Sequence, residues 1–134
     1  MVAMKKPRVL LIDDNVAVLE VFMEGLQSCG FEVTAAATVT AALGLIASEK
    51  FDVLLSDPHI PEAADGLAVL RAMRRANPEA ITLVLSSYPA LQEAISAILL
   101  QANEILSKPV GISEIAEIIN KKLLTPITGS MKRR

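Results

Sequence analysis

The sequence predicts a three-layer, doubly wound α/β fold in which five parallel strands form the central sheet. Nearly continuous apolar runs at residues 9–12, 53–56 and 81–85 are typical of strands that are buried on both faces. Stretches with a helical spacing of apolar residues separate these runs. Along the chain a strand is followed by a helix five times. Right-handed crossovers and a central switch point then favour the strand order 2-1-3-4-5.

The first half of the chain supplies two of the five strand–helix units. After strand one at residues 9–12, the helix that follows Asp14 carries its apolar residues on one face. Gly30 suits the left-handed position that ends this helix. Residues 31–35 alternate between apolar and polar side chains, as expected of a strand near the sheet edge. The second helix is predicted over residues 38–48.

The second half supplies the other three units. Its strands are predicted at residues 53–56, 81–85 and 105–107. Its helices are predicted at residues 67–75, 89–98 and 113–124. Pro89 suits the first turn of the fourth helix, and Ser113 can cap the fifth.

Composition limits the classes of protein to which the chain can belong. With 134 residues, of which 52% are hydrophobic, it is long enough for one domain with a real core. The formal net charge of −2 gives no general reason to bind nucleic acid. Cys29 is the only cysteine, so an internal disulfide is impossible, and we expect it to be a small core residue. The absence of a signal sequence or membrane span in the sequence predicts a soluble, cytoplasmic protein.

Reactive side chains stand at the ends of four predicted strands. They are Asp13 and Asp14 after the first strand, Asp57 after the third, Ser86 and Ser87 after the fourth, and Lys108 after the fifth. The carboxyl ends of parallel strands lie along one edge of the sheet. We therefore expect one pocket that holds acids, hydroxyls and an amine.

A pocket of this composition is expected to bind a metal ion. Three carboxylates in one cleft repel one another unless a cation compensates their charge. Ligands that are all oxygen atoms, in an incomplete cage, favour Mg²⁺, for which Mn²⁺ can substitute. Beside such an ion, Asp57 is a candidate nucleophile toward a phosphoryl group. Ser86 can hydrogen-bond one phosphoryl oxygen, and Lys108 can pair with another.

Five motifs at these strand ends together resemble the receiver domain of two-component response regulators. The motifs are Leu11-Ile12-Asp13-Asp14-Asn15, Leu54-Leu55-Ser56-Asp57 with Pro61, Asp65-Gly66-Leu67, Val84-Leu85-Ser86-Ser87, and Lys108-Pro109. The resemblance implies the flavodoxin-like fold. It covers residues 7–124 as one receiver domain and leaves residues 125–134 as a tail or linker. The implied domain is regulatory and not an enzyme.

The resemblance also assigns roles to the acidic residues. Asp57 would accept phosphate from a histidine kinase or a phosphotransfer protein. Asp14 would ligate Mg²⁺ directly, Asp13 would support the ion through water, and the backbone carbonyl of His59 would be a further ligand. Apart from the resemblance, His59 is a lone loop histidine without companion ligands, and we expect its side chain to tune access to Asp57.

The remaining assignments concern the phosphoryl group and the response to it. Ser86 would be the switch hydroxyl in preference to Ser87, which is well placed to cap the fourth helix. Lys108 would pair with the phosphoryl group, and Tyr88 lies at a position that influences dephosphorylation. Ile105 stands where many members carry an aromatic switch residue.

The implied output surface consists of helix four, strand five and helix five. It would contact an unknown downstream protein or output domain, and it could mediate a homodimer. Direct contact with nucleic acid or membrane is not expected. The loop from Pro58 to Asp65 has one residue more than is common before the glycine of the family motif.

Three other functions fit parts of the same pattern to different degrees. Ile105 and the unusual loop are consistent with a degenerate receiver that binds partners without phosphate. A small Mg²⁺-dependent phosphatase with an aspartyl-phosphate intermediate is less well matched, because position 59, two residues after Asp57, is histidine and not a second acid. Flavin binding fits least, because the first loop has no phosphate-cradling glycine or hydroxyl run.

Overall fold

Five parallel strands form one sheet in a computed structural model of the chain. The structure describes residues 6–56, 63–86, 104–107 and 110–124, with the backbone alone at 63–67, 86, 104, 105 and 107. The strands are β1 (Arg8–Ile12), β2 (Glu32–Ala36), β3 (Val53–Ser56), β4 (Ile81–Ser86) and β5 (Glu104–Ser107). The described helices are α1 (Val16–Ser28), α2 (Val39–Ser48), α3 (Ala63–Ala76) and a C-terminal helix (Ile112–Leu124). The sheet order β2-β1-β3-β4-β5 confirms the predicted topology.

Two apolar cores lie on opposite faces of the sheet because successive strand side chains point to opposite sides. Leu10, Leu54 and Val84 belong to the core beneath α2 and α3. Leu11 and Leu55, one position further along, belong to the core beneath α1 and the C-terminal helix. Helices therefore cover both faces, as the nearly continuous apolar strands predict.

The end of α1 is fixed by a Schellman motif that includes Gly30. The Gly30 N–H donates to the Gln27 carbonyl at 3.0 Å, and the Phe31 N–H donates to the Leu26 carbonyl at 3.2 Å. Gly30 has a φ of 99°, a left-handed conformation that glycine adopts without steric cost. Leu26 and Phe31 are both buried, which supplies the apolar contact typical of this motif. The prediction for Gly30 is confirmed.

Arg8 joins three chain segments at the amino edge of the sheet. Its guanidinium donates to the Lys50 carbonyl at 2.7 Å, forms an ion pair with the Glu49 carboxylate, and lies 3.4 Å from Glu32 Oε2. It also lies 4.9 Å from the centroid of the Phe51 ring. The hydrogen bond with Glu49 raises the pKa of Arg8 above its ordinary value. The contacts fasten β1 to β2 and to the segment that connects α2 with β3.

The third helix begins earlier than the sequence pattern predicts. The expected start is residue 67, but α3 begins at Ala63. Residues 63–65, assigned to a long loop from their comparison with the family pattern, are therefore helical. Ala63 and Ala64 are strong helix formers, which favours the helical conformation at these positions.

The predicted cap of the last helix is also wrong. The helix begins at Ile112, so Ser113 lies within its first turn. The Gly111 carbonyl accepts from the Ile115 N–H at 3.0 Å, and the Gly111 N–H donates to Glu114 Oε1 at 3.4 Å. Gly111 thus occupies the capping position, and Glu114 reaches back to it as in a capping box. Ile115 and Ile119 are buried, as their spacing predicts.

Cys29 is exposed, which contradicts the prediction that it belongs to the core. It follows the last residue of α1, and Phe31 instead fills the core at this end of the helix. None of the helices in the described ranges is both long enough and apolar enough to cross a bilayer.

The packing of α1 against the C-terminal helix can be tested at Gly25. A Cβ atom at this position would overlap Ile112 Cδ1 and lie 3.0 Å from Ile112 Cγ2, whereas a Cβ atom on Gly44 in α2 would meet nothing within 4 Å. We expect Gly44→Ala to stabilise the fold by about 0.5–1 kcal/mol, because alanine is the better helix former. Gly25→Ala should be less stable than Gly44→Ala by about 1 kcal/mol or more, because its new Cβ atom would overlap Ile112. Urea denaturation measures both changes.

A double-mutant cycle provides the control for this contact. Ile112→Val removes the Cδ1 atom, so it should reduce the cost of Gly25→Ala by about 0.5 kcal/mol or more. Equal effects of Gly25→Ala and Gly44→Ala would show that Ile112 does not constrain position 25.

Candidate functional site

The carboxyl edge of the sheet brings the predicted strand ends into register. Ile12 pairs with Ser56, and Ser56 pairs with Val84. Ser86 pairs with Ser107 on the next strand. The residues that immediately precede Asp13, Asp57 and Lys108 in the sequence therefore lie on this one edge. Asp57 and Lys108 themselves lie outside the described residues.

Asp13 is the buried acid of this edge, with only 2% of its surface exposed. Its N–H donates to the Ala36 carbonyl of β2 at 3.2 Å, which extends the pairing of β1 by one residue. Its Oδ1 accepts from the Asn15 N–H at 2.9 Å. A buried carboxylate is costly unless hydrogen bonds or a cation compensate it. The hydrogen bond from the Asn15 N–H supplies part of this compensation at Asp13.

Asp14 and Asn15 connect the strand end to α1. Asp14 is exposed and stands directly beside the buried Asp13. Asn15 is the N-cap of α1, and its Oδ1 accepts from the Val18 N–H at 3.2 Å. The positive end of the α1 dipole therefore lies next to the two acids, which favours negative charge there. The capping role of Asn15 was missed, although an asparagine just before a helical pattern is a recognisable signal.

Ser86 and Ile105 lie on neighbouring central and edge strands. Ser86 is the last residue of β4 and Ile105 is the second of β5, where it pairs with Val84. The backbone of both residues is described, but their side chains are not. Their assigned roles as switch hydroxyl and switch-aromatic position therefore remain predictions.

Other predicted features lie outside the described residues. These are His59, Ser87, Tyr88, the fourth helix and the tail at residues 125–134. Within the described ranges no group of three or more acidic, histidine or cysteine side chains could hold a metal ion. The proposed set of three carboxylates includes Asp57, so the described residues contain only two of its members.

Known proteins resemble this chain in sequence and in fold. The model of the response regulator receiver domain family matches residues 9–120. The photosynthetic apparatus regulatory protein RegA of Rhodobacter capsulatus is 31% identical over 113 residues, which are 84% of this chain and 61% of that protein. The response regulator protein FleR of Pseudomonas aeruginosa is 29% identical over 123 residues, 92% of this chain but 26% of FleR. The chain thus spans less than two thirds of the length of these relatives.

Solved structures agree with these sequence relatives. A CheY-like response regulator receiver domain protein from Methanospirillum hungatei superposes with a TM-score of 0.81 at 26% identity, covering 93% of this chain and 99% of that one. A response regulator receiver domain protein from Clostridium thermocellum gives a TM-score of 0.74 at 30% identity, covering 88% and 98%.

The capping role of Asn15 predicts a measurable loss of stability. Asn15→Ala removes the acceptor for the Val18 N–H, so it should lower the free energy of unfolding by about 1 kcal/mol. Asn15→Ser should retain most of it, because serine also accepts from the first turn. Urea denaturation distinguishes the two variants. If both lose the same amount, the side-chain cap does not stabilise α1.

Proposed function

The chain belongs to the response regulator receiver domain family of two-component systems, and we propose that it is phosphorylated on Asp57 with the help of Mg²⁺. The observation that carries this proposal is the register of β1, β3, β4 and β5 at their carboxyl ends. This register supports a single pocket to which the strand-end residues contribute. The family is one of regulatory domains, and the proposed chemistry serves as a switch.

The acids that follow β1 are the proposed metal ligands. Asp13 and Asp14 would hold Mg²⁺ together with Asp57 and the backbone carbonyl of His59. Their oxygen donors fit this hard cation, and the burial of Asp13 gives the site a partly desolvated acid that a cation would compensate. The bound ion would neutralise charge on the phosphoryl oxygens.

The proposed phosphotransfer is a displacement at phosphorus. A carboxylate oxygen of Asp57 attacks the phosphoryl group of a phosphohistidine on the donor, a P–O bond forms, and the P–N bond breaks. The imidazole of the donor leaves with the electron pair of that bond and takes up a proton. Lys108 would pair with one phosphoryl oxygen, and Ser86 would hydrogen-bond another.

The response is proposed to pass from Ser86 to the neighbouring edge strand. Ser86 pairs with Ser107 in the sheet. A movement at the proposed pocket would therefore pass from β4 to β5 and from there toward the C-terminal helix. The aliphatic Ile105 at the aromatic switch position leaves the switch to the hydroxyl group alone. The partners would be a histidine kinase or phosphotransfer protein on the input side and an unidentified protein or output domain on the output side. A homodimer through the output surface remains part of the proposal.

The extent and location of the domain follow from the same proposal. We assign residues 7–124 to the receiver domain and residues 125–134 to a tail or linker, and the family match over residues 9–120 supports this extent. The single cysteine, which excludes an internal disulfide, is compatible with the cytoplasmic location that phosphotransfer from a kinase would require.

Phosphorylation of Asp57 is tested directly by mass spectrometry. Incubation with acetyl phosphate and Mg²⁺ should add about 80 Da to the intact chain, the mass of one phosphoryl group. Asp57→Asn should abolish this gain. Asp52→Asn is the matched control, because Asp52 precedes β3 whereas Asp57 follows it, and Asp52 instead accepts from the Arg8 N–H at 2.8 Å. An unchanged mass of the wild-type chain, together with no spectral response to beryllofluoride, would favour the phosphate-independent alternative.

The metal site predicts a link between Mg²⁺ and stability. Asp13→Asn keeps an oxygen acceptor for the Asn15 N–H but removes a buried charge from the acid cluster. In EDTA we expect this variant to melt at a higher temperature than the wild type. At 100 times the dissociation constant, Mg²⁺ should stabilise the wild type by about 2.7 kcal/mol and the variant by much less. Thermal denaturation measures both effects, and an equal response to Mg²⁺ would exclude Asp13 from the site.

A further inference from the structure

Among the described side chains, the helices α2 and α3 carry positive charge alone, whereas the C-terminal helix on the other face carries both signs of charge. On α2 and α3 the described side chains include three charged ones, and all three are arginines: Arg71, Arg74 and Arg75. These residues are spaced three and four positions apart, so they lie on one side of α3. On the opposite face of the sheet, α1 carries Glu20 and Glu24 and no basic residue. We call the three arginines of α3 the arginine face.

The arginine face has no acidic partner within the part of the chain that the structure describes. Both ion pairs found there belong to Arg8, which binds Glu32 and Glu49. Arg71 and Arg75 are exposed, and Arg74 is half-buried. Asp65 is the acid on α3 itself, but it lies six residues before Arg71, a distance of about 9 Å along the helix axis.

The helix dipole accounts for only part of this arrangement. Arg74 and Arg75 lie in the last turn of α3, where positive charge is favourable. Arg71 lies before that turn, yet it extends the same charged surface. Three guanidinium groups at this spacing can each bind a carboxylate in a bidentate manner.

Within the described residues, the helix that packs beside α3 exposes only small side chains. The helix α2 packs beside α3 on the same face of the sheet and carries no charged residue. Its exposed positions are small residues: Thr40, Ala41, Gly44, Ala47 and Ser48. Because α2 and α3 pack side by side, a helix laid along the exposed small residues of α2 would also run beside α3.

We propose that the arginine face docks an acidic helical segment of a partner protein, with α2 as the neighbouring platform. A polyanionic nucleic acid fits less well, because neither α2 nor α3 has an aromatic residue on which bases could stack and the chain as a whole is negatively charged. This surface is separate from the proposed phosphoryl pocket, so the inference goes beyond the receiver function.

Titration of the full chain with a defined peptide tests the proposal. The probe is a helix-forming peptide with glutamates on one side, and its control has glutamine in place of every glutamate. In amide NMR spectra of the labelled chain, the acidic peptide should produce saturable shifts on α3 and at the exposed positions of α2. The glutamine peptide should produce none. Raising the NaCl concentration to about 0.5 M should weaken the shifts, because salt screens exposed charges.

Two charge-neutralised variants locate the binding surface. Arg71→Gln combined with Arg75→Gln should weaken binding by about tenfold or more, because each change removes an exposed guanidinium group that would bind a glutamate of the peptide. Lys121→Gln combined with Lys122→Gln makes the same change of charge on the C-terminal helix, and it should alter the affinity by less than about twofold. The glutamine variants keep good helix formers, and circular dichroism confirms that each is folded.

Several results would overturn the proposal. They are the absence of shifts at millimolar peptide, shifts confined to other elements, or equal losses in the two variants. Tighter binding of a DNA duplex of matched charge to the same arginines would assign the surface to nucleic acid. Self-association that sedimentation detects without peptide, and that Arg71→Gln with Arg75→Gln abolishes, would assign it to a second copy of the chain. Loss of phosphorylation at Asp57 would leave these outcomes unchanged, so failure of the receiver function can be told apart.

Discussion

The parallel pairing of β1 with β3 is the constraint on which the other features of this domain depend. It sets Ile12 beside Ser56, and it thereby determines which loops leave the sheet together at its carboxyl edge. A shift of one residue would also exchange the two faces of β1 and move Leu10 and Leu11 into the wrong cores. Core packing and the position of the candidate site are therefore fixed by the same register.

The carboxyl edge places a buried carboxylate at the end of an apolar strand. Asp13 is buried at the end of a strand whose preceding residues are apolar, and the backbone of Asn15 supplies one hydrogen bond to it. The cores beneath both helical layers provide the stability that offsets such a site. Residues that conflict with simple burial rules are expected where a protein functions.

Patterns of apolar residues predicted the sheet well because burial on both faces leaves a strong signal in each strand. The strand positions and the edge position of β2 followed from such patterns. The strand order followed from the handedness of crossovers, and the role of Gly30 from the left-handed conformation that glycine tolerates. Helix ends were predicted less well. The start of α3 at Ala63 and the capping of the last helix by Gly111 depend on local hydrogen bonds and propensities that apolar spacing does not contain. Cys29 was wrongly predicted to be buried. It lies at the end of α1, where the chain turns, and Phe31 is the residue that enters the core. At the candidate site, the sequence predicted the acids after β1 and the edge on which they stand. The roles of Asp57, Ser86 and Lys108 stay predictions, because their side chains lie outside those that the structure describes.

The contacts of Arg8 are made at one end of the sheet, the amino edge. At the amino edge, the guanidinium of Arg8 in β1 contacts β2 and the segment that precedes β3. Side-chain contacts therefore join these strands in addition to the backbone hydrogen bonds. The carboxyl edge, where the switch residues are proposed, lies at the other end of the same strands. Arg8, although remote from the proposed chemistry, thus holds these strands together at the end of the sheet that does not carry the candidate site.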